Sequence, residues 1–327
     1  MNLFLLAAGE GTRFRPHTEI LPKPAIPFCG APLIYYSFYL AKCLAPDRVV
    51  VNTYHLPDKI HDVGNKLRSF GVEVKFSDEK DRLLGSAGGM AKAKNDLCGR
   101  GGFIALNADE VIIPQKADIM KQFYMVAKES SRLSTLMVMR HPEAGRKFGA
   151  VWANKVGKVF GFGKVRPETN EDLTPYHFIG PMYFHDRIFD RIDTEPSNIL
   201  HDTLKSAIAE GEDIGIFEIE CDWFETGNLE DYLKATESVL GLFRDQNPFL
   251  LQMNRELSLL MDFETRGKTL VLKHQSAQIS NEAQIEGWLV AGPLAMISRD
   301  CLLKEVVVSD GVAIKPGQTF TSALLLN

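Results

Sequence analysis

Cysteine is scarce in this chain and badly placed for cross-linking. The five cysteines among 327 residues (Cys29, Cys43, Cys98, Cys221 and Cys301) are odd in number, scattered, and include no CxxC pair. That argues against a disulfide framework or a cysteine zinc site, and it favours reduced thiols in a cytoplasmic setting. Excess positive charge is also missing. The 37 Lys and Arg residues face 42 Asp and Glu, a net charge of −5, so no global basic field points to nucleic acid. No apolar run approaches the roughly 20 residues a membrane span requires. Leu3–Ala8 is too short for a secretory core and lacks a basic start, so it reads as a strand. His17, His55, His141 and His177 show no metal-ligand spacing, and His17 reads as structural in its loop. What is present is ordinary for a globular protein, 45% hydrophobic and 24% charged. The length suits one large domain with a smaller one.

Short apolar runs alternate with helical patterns through the first two-thirds. Strands are expected at Leu3–Ala8, Arg48–Thr53, Val72–Phe76, Phe103–Asn107 and Thr135–Arg140. A helix is expected from Pro32, with Leu33, Ser37, Leu40 and Leu44 on one face. Alternation of this kind points to βαβ units and an α/β sheet. A β-rich insertion follows, with a hairpin around Ala153–Gly157. The segment 241–276 reads as a connecting helix with Pro248 near its start. From 277 a six-residue rhythm appears: Ile279, Ile285, Ala291, Ile297 and Leu303, then, after a slip of one residue, Val308, Ile314 and Phe320. That period marks a hexapeptide parallel β-helix. The stretch 277–327 holds fewer than three coils, so subunit contacts that cap it, and hence a homo-oligomer, are expected.

The densest chemistry follows the first strand, in "LFLLAAGEGTRFRPHTEILPKP", residues 3–24. A strand ending in Gly9-x-Gly11 leaves backbone N–H groups free to face an anion, because glycine lets the chain approach closely. Arg13 adds a fixed-charge fork and Lys23 a point charge, both suited to phosphate oxygens. In open α/β sheets ligands sit at the carboxyl ends of strands. The stretch therefore reads as a loop around a polyphosphate. A Rossmann dinucleotide loop is excluded because Phe14 stands where its third glycine belongs, and no Walker A pattern is present.

This stretch resembles the opening motif GxGxRxxPxTxxxPKP of the sugar-1-phosphate nucleotidyltransferases, matched at every fixed position. The resemblance covers about residues 1–240. It implies a Rossmann-like mixed α/β sheet of the GT-A-like type over that span, and the C-terminal section resembles the short left-handed β-helix appended to several members. The implied activity joins a nucleoside triphosphate to a sugar 1-phosphate and releases pyrophosphate. Leu6, Ala7, Ala8, Gly9, Gly11 and Thr12 then carry the nucleotide, with Arg13 and Lys23 as catalytic groups. "LLGSAGGMAKA" is similar to the family's L-G-T-A-G segment and adds Gly85, Ser86 and Gly88. "NADEV" is similar to N-G-D, with Ala108 replacing glycine; it adds Asn107 as a nucleotide contact and Asp109 as a Mg²⁺ ligand.

"CDWFETGNLEDY" resembles the family's W-x-D-[IV]-G-T segment, and the second metal-binding carboxylate maps onto Glu225, with Asp222 as an alternative. Glu110 is expected to point away, since side chains alternate along a strand. On the sugar side Gly149, Lys164 and Gly180 match family positions. Gly163 and Phe178 stand where many members carry a glutamate and an asparagine. The expected chemistry is in-line attack of a sugar-phosphate oxygen on the α-phosphorus, helped by positioning and charge neutralisation. A catalytically weak nucleotide-sugar sensor on the same fold is the competing reading. Base and sugar stay open.

Overall fold

The computed structural model describes all 327 residues. The chain forms two compact units. One comprises Met1–Glu10 and Tyr36–Trp223, the other Gly11–Tyr35 and Phe224–Asn327.

The first unit is built on a mixed sheet. Its middle is parallel: Gly102–Asn107, Asn2–Leu6, Arg48–Thr53 and Glu73–Asp78 lie side by side in that order. Leu3, Phe4 and Leu5 are fully buried, as are Val49, Val50 and Val51. Central parallel strands are covered on both faces, which is why these segments read as continuous apolar runs and not as alternating ones. The long strand Thr174–His185 runs antiparallel to Gly102–Asn107 and to Ser134–Met139, and Ile214–Glu218 extends the sheet in parallel with Ser134–Met139. The expected hairpin is present as Ala150–Ala153 and Val159–Gly163. One core joins Phe4, Val50, Phe103, Ala105, Leu136 and Met182 with the helix residues Ala87 and Met90.

The second unit holds the signature loop together with the C-terminal third. Phe14 and Phe28 are buried, and each meets the ring of Tyr232 with centroids 5.5 Å apart. Tyr232 lies on the helix Leu229–Arg244, capped by Asn228, whose Oδ1 accepts from the backbone N–H of Asp231 at 3.0 Å. These contacts group Gly11–Tyr35 with residues after 223.

The expected connecting helix over 241–276 is helical only to Glu256; Met261–Arg266 and Thr269–His274 form an antiparallel hairpin. Asn254 explains the stop. Its amide donates to Met261 O at 2.8 Å, and its Oδ1 accepts from Met261 N at 3.1 Å, which clamps the chain as it leaves the helix. Beyond the hairpin the strands stack in parallel with a steady repeat. Leu270 pairs with Trp288, and Gln284 with Leu302, eighteen residues on in each case; Leu302 pairs with Thr319, seventeen on. Gln278–Ile279, Met296–Ile297 and Ala313–Ile314 form a second parallel stack. All eight rhythmic residues lie in or against one apolar cluster. The slip has a local cause: Gly287 and Trp288 together face the single residue Glu305.

Candidate functional site

In the first unit, the leading strand ends at Leu6 and the chain is fixed at once from its neighbour. Ala7 N donates to Asn52 Oδ1 at 2.7 Å, and Asn52 Nδ2 donates to Glu79 Oε1 at 2.8 Å. The other oxygen, Oε2, accepts from Leu84 N at 2.7 Å. Glu79 is buried, and that burial raises its carboxyl pKa despite the two bonds. The network ties the strand end carrying Ala7, Ala8 and Gly9 to the start of the helix Gly85–Lys92.

That helix begins in a backbone clasp. Gly85 has φ +71°, and a Cβ there would lie 2.5 Å from Ser197 O. Ala87 N donates to that same oxygen, Ser197 N donates to Leu84 O, both at 3.0 Å, and Ile199 N donates to Ser86 Oγ at 2.8 Å. A Cβ on Gly88 would lie 2.6 Å from Glu195 O. The close approach that these glycines permit in the chain itself is thus to residues 195–197.

The strand Gly102–Asn107 ends in a turn at Ala108 and Asp109. Ala108 is buried, and its N donates to Leu6 O at 3.1 Å, so the ends of two neighbouring strands are pinned together. Asp109 is half-buried. The turn breaks the alternation that was expected to send Glu110 away. Glu110 Oε1 accepts from Asn107 Nδ2 at 3.0 Å, and Oε2 accepts from Trp223 Nε1 at 2.9 Å. A Cβ on Gly180, which has φ +114°, would lie 2.9 Å from Glu110 Cγ. Gly180 is glycine because Glu110 occupies that space.

An aromatic group surrounds Trp223. Its ring centroid lies 4.3 Å from His177 and 5.7 Å from Phe148, and His141 is 5.5 Å from His177. Both ring nitrogens of His177 are buried without a hydrogen-bond partner. Burial, and then His141 beside it, push its pKa down to about 4, so the ring is neutral at pH 7. Phe178, by contrast, packs against the main core. Gly149 and Lys164 are exposed, and a Cβ on Gly149 would lie 3.7 Å from Gly163 Cα.

The second unit carries the loop. Gly11 takes φ +63°, with Thr18 Oγ1 donating to its carbonyl at 3.0 Å and Phe14 N at 2.9 Å. A Cβ there would lie 2.8 Å from Thr18 Cγ2. Thr12–Phe14 then form a single 3₁₀ turn, and Lys23–Ala25 another, which starts at Pro22. Arg13 is 72% exposed, with Nη2 3.9 Å from Glu225 Oε1. A pair so long and so open to water is worth well under about 1 kcal/mol, so Arg13 can exchange it for a stronger anion. Gly227 makes room for the pair: a Cβ there would collide with Glu225 Oε1 and lie 2.9 Å from Arg13 Cζ.

No group of three or more His, Cys, Asp or Glu side chains converges in the chain as a metal cage. Mg²⁺ requires none, since it takes one or two carboxylates and completes its shell with phosphate oxygens and water. Asp109 has the hard oxygen donors for that role. Glu110 has both oxygens engaged by Asn107 and Trp223.

The profile of the family described as nucleotidyl transferase matches residues 3–241. The chain belongs to the nucleotidyl transferase family. Among curated relatives, UTP-glucose-1-phosphate uridylyltransferase of Synechocystis is 26% identical over 257 residues, 74% of this chain and 64% of that protein. The chain thus spans a little under two-thirds of that relative. Mannose-1-phosphate guanylyltransferase 1 of Arabidopsis thaliana is 26% identical over 340 residues, 99% of this chain and 86% of the relative. Among solved structures, a UDP-glucose pyrophosphorylase complexed with UDP-glucose superposes with a TM-score of 0.60 at 18% identity, over 73% of this chain and 97% of the other. The inositol-1-phosphate CTP transferase from T. maritima gives 0.59 at 20% identity, over 72% and 94%. These likenesses establish the mixed α/β nucleotidyl transferase fold.

Within the first unit, the structure brings together the strand ends at Leu6 and Asn107, Glu110, Trp223 and Gly180. Within the second it brings together Arg13, Glu225 and Gly227. Three features of this nucleotidyl transferase escape sequence reading: the Glu79–Asn52 link, the Glu110–Trp223 pair, and the grouping of His141 with His177. Their partners are 27, 113 and 36 residues apart in sequence. Only the buried-strand setting of Asn52, an amide amid valines, offered a hint.

Proposed function

We propose that this chain is a sugar-1-phosphate nucleotidyltransferase: it moves a nucleotidyl group from a nucleoside triphosphate to a sugar 1-phosphate and releases pyrophosphate. One observation carries the reading. Two residues after a left-handed glycine, the signature loop of a family member presents an arginine 72% open to solvent and held only by a loose ion pair.

A bond forms between a sugar-phosphate oxygen and the α-phosphorus, and the bond from the α-phosphorus to the oxygen bridging to the β-phosphorus breaks. The nucleophile is already an anion, so no strong base is required, and the residues act by positioning and charge. Leu6, Ala7, Ala8, Gly9, Gly11 and Thr12 line the path of the nucleotide, with Gly85, Ser86, Gly88 and Asn107 on its base and ribose side. Arg13 neutralises the leaving pyrophosphate and Lys23 the α-phosphate. Lys164, with Gly149 and Gly180, serves the incoming sugar phosphate. Asp109 and Glu225 are the proposed ligands of Mg²⁺, which when bound supplies further charge neutralisation.

The names of the relatives suggest uridylyl or guanylyl transfer onto glucose or mannose 1-phosphate. The C-terminal coils are read as a short left-handed β-helix, supported by their eighteen-residue register, and as the contact surface of a homo-oligomer. No helix is long and apolar enough to cross a membrane; a cytoplasmic setting with neither nucleic acid nor membrane as partner completes the proposal.

The sensor reading draws on Glu225, whose carboxylate faces Arg13. Pyrophosphate release across nucleoside triphosphates and sugar 1-phosphates, with and without Mg²⁺, separates the two. Turnover on one pair, lost in R13A, is the expected result. Silence across the panel with tight binding of one nucleotide sugar would leave the sensor.

A further inference from the structure

At His17 the signature motif leaves the residue open, yet this side chain makes the longest-range bond in the loop. His17 Nε2 lies 3.1 Å from the carbonyl oxygen of Leu324, 307 residues away in sequence, on the last strand Thr319–Leu325. A carbonyl only accepts, so Nε2 carries a proton; Nδ1 is buried without a partner. The loop has a second anchor. Phe14 is 2% exposed, its ring 5.5 Å from Tyr232 and 5.4 Å from His17. Arg13 immediately precedes that anchor.

A groove of about 330 Å³ lies between the loop and the coil, lined by Pro16, His17, Ile20, Ile314, Phe320 and Leu324. Ile20 remains 46% exposed. Apolar packing at this junction is therefore incomplete, and the hydrogen bond carries more of the attachment than it would in a filled interface.

We propose that His17 is a positioning residue: through Leu324, the last strand holds the Arg13 turn in its nucleotide-receiving conformation. This rests on the reading that the loop receives a nucleotide's phosphates. Without the bond, the competent loop conformer becomes a smaller fraction of the ensemble, and apparent affinity falls by that fraction.

Two variants separate the hydrogen bond from the ring. His17→Phe keeps a ring and loses the N–H; His17→Gln loses the ring and keeps an amide N–H. A protease reads the loop independently of activity. Arg15 and Lys23 each precede proline, so Arg13–Phe14 is the bond open to trypsin between Gly11 and Pro24. Cleavage there requires Phe14 to leave its buried site.

In His17→Phe, tryptic cleavage after Arg13 should accelerate several-fold. KM for the nucleoside triphosphate should rise roughly threefold to tenfold, the range of one net hydrogen bond, with kcat within about twofold and the melting temperature nearly unchanged. His17→Gln should behave as the wild type in all of these. Wild-type cleavage in His17→Phe would overturn the proposal. So would equal acceleration in both variants, which would assign the role to ring packing. A wild-type protein inactive on every substrate pair would refute the activity, while the cleavage rates would still decide the tether.

Discussion

Replacing Gly85 by alanine tests whether the clasp at residues 195–199 fixes the helix Gly85–Lys92. Two costs add. The first is conformational: at φ +71° an alanine pays the left-handed penalty of roughly 1–2 kcal/mol. The second is steric, since the new Cβ would stand 2.5 Å from Ser197 O, a main-chain atom with no rotamer to escape into. That oxygen accepts from Ala87 N, and Ser197 N donates to Leu84 O. Moving it weakens both bonds, each worth about 1 kcal/mol net. The sum is about 3–4 kcal/mol.

Gly71 is the control. It has φ +80°, and a Cβ there would meet nothing within 4 Å, so Gly71→Ala pays only the first cost. Urea denaturation of both variants, with hydrogen exchange at the Ala87 and Ser197 amides, measures the difference. Gly85→Ala should be about 2 kcal/mol less stable than Gly71→Ala and should exchange faster at those two amides. Equal destabilisation, or unchanged protection at Ala87, would refute the clasp.

Further expectations concern the other parts of the fold. Gly227→Ala should lower nucleotidyl transfer at least about tenfold at a stability cost below roughly 1 kcal/mol, because the atoms nearest the new methyl are the movable ends of Arg13 and Glu225; unaltered turnover would contradict this. His177 titrates at about 4 folded against 6.5 unfolded. The unfolded chain therefore binds more protons between those values, and stability should fall as pH drops from 6.5 to 4, by up to about 3 kcal/mol, and level off below. His177→Phe should flatten that part of the stability-versus-pH curve, and an identical slope would exclude His177 as its source. Ile314→Ala, in the coil core, should cost about 2–5 kcal/mol in thermal or urea unfolding.

The sheet was legible because its central strands are buried on both faces. Leu3–Leu5 and Val49–Val51 print that burial directly as apolar runs. The coil rhythm was legible down to its slip, which falls where Glu305 alone faces Gly287 and Trp288. The end of the helix at Glu256 was not, because its signal is a side-chain amide, Asn254, and no glycine or proline follows it closely. Strand alternation misjudged Glu110, since the strand gives way to a turn before that residue. Phe178, where many members carry an asparagine, packs against the main core, while its neighbour His177 sits with Trp223. Such pairings join residues far apart in sequence, and no local pattern encodes them.

The chain passes from one unit to the other three times, after Glu10, Tyr35 and Trp223. No single cut can therefore release either unit whole. A gene fragment ending near residue 223 would strand Phe14 and Phe28 without Tyr232, and one beginning there would lack the very segment its helix was built to hold. Recombination between relatives would have to carry 11–35 and 224–327 together, so these two stretches should be inherited as one block.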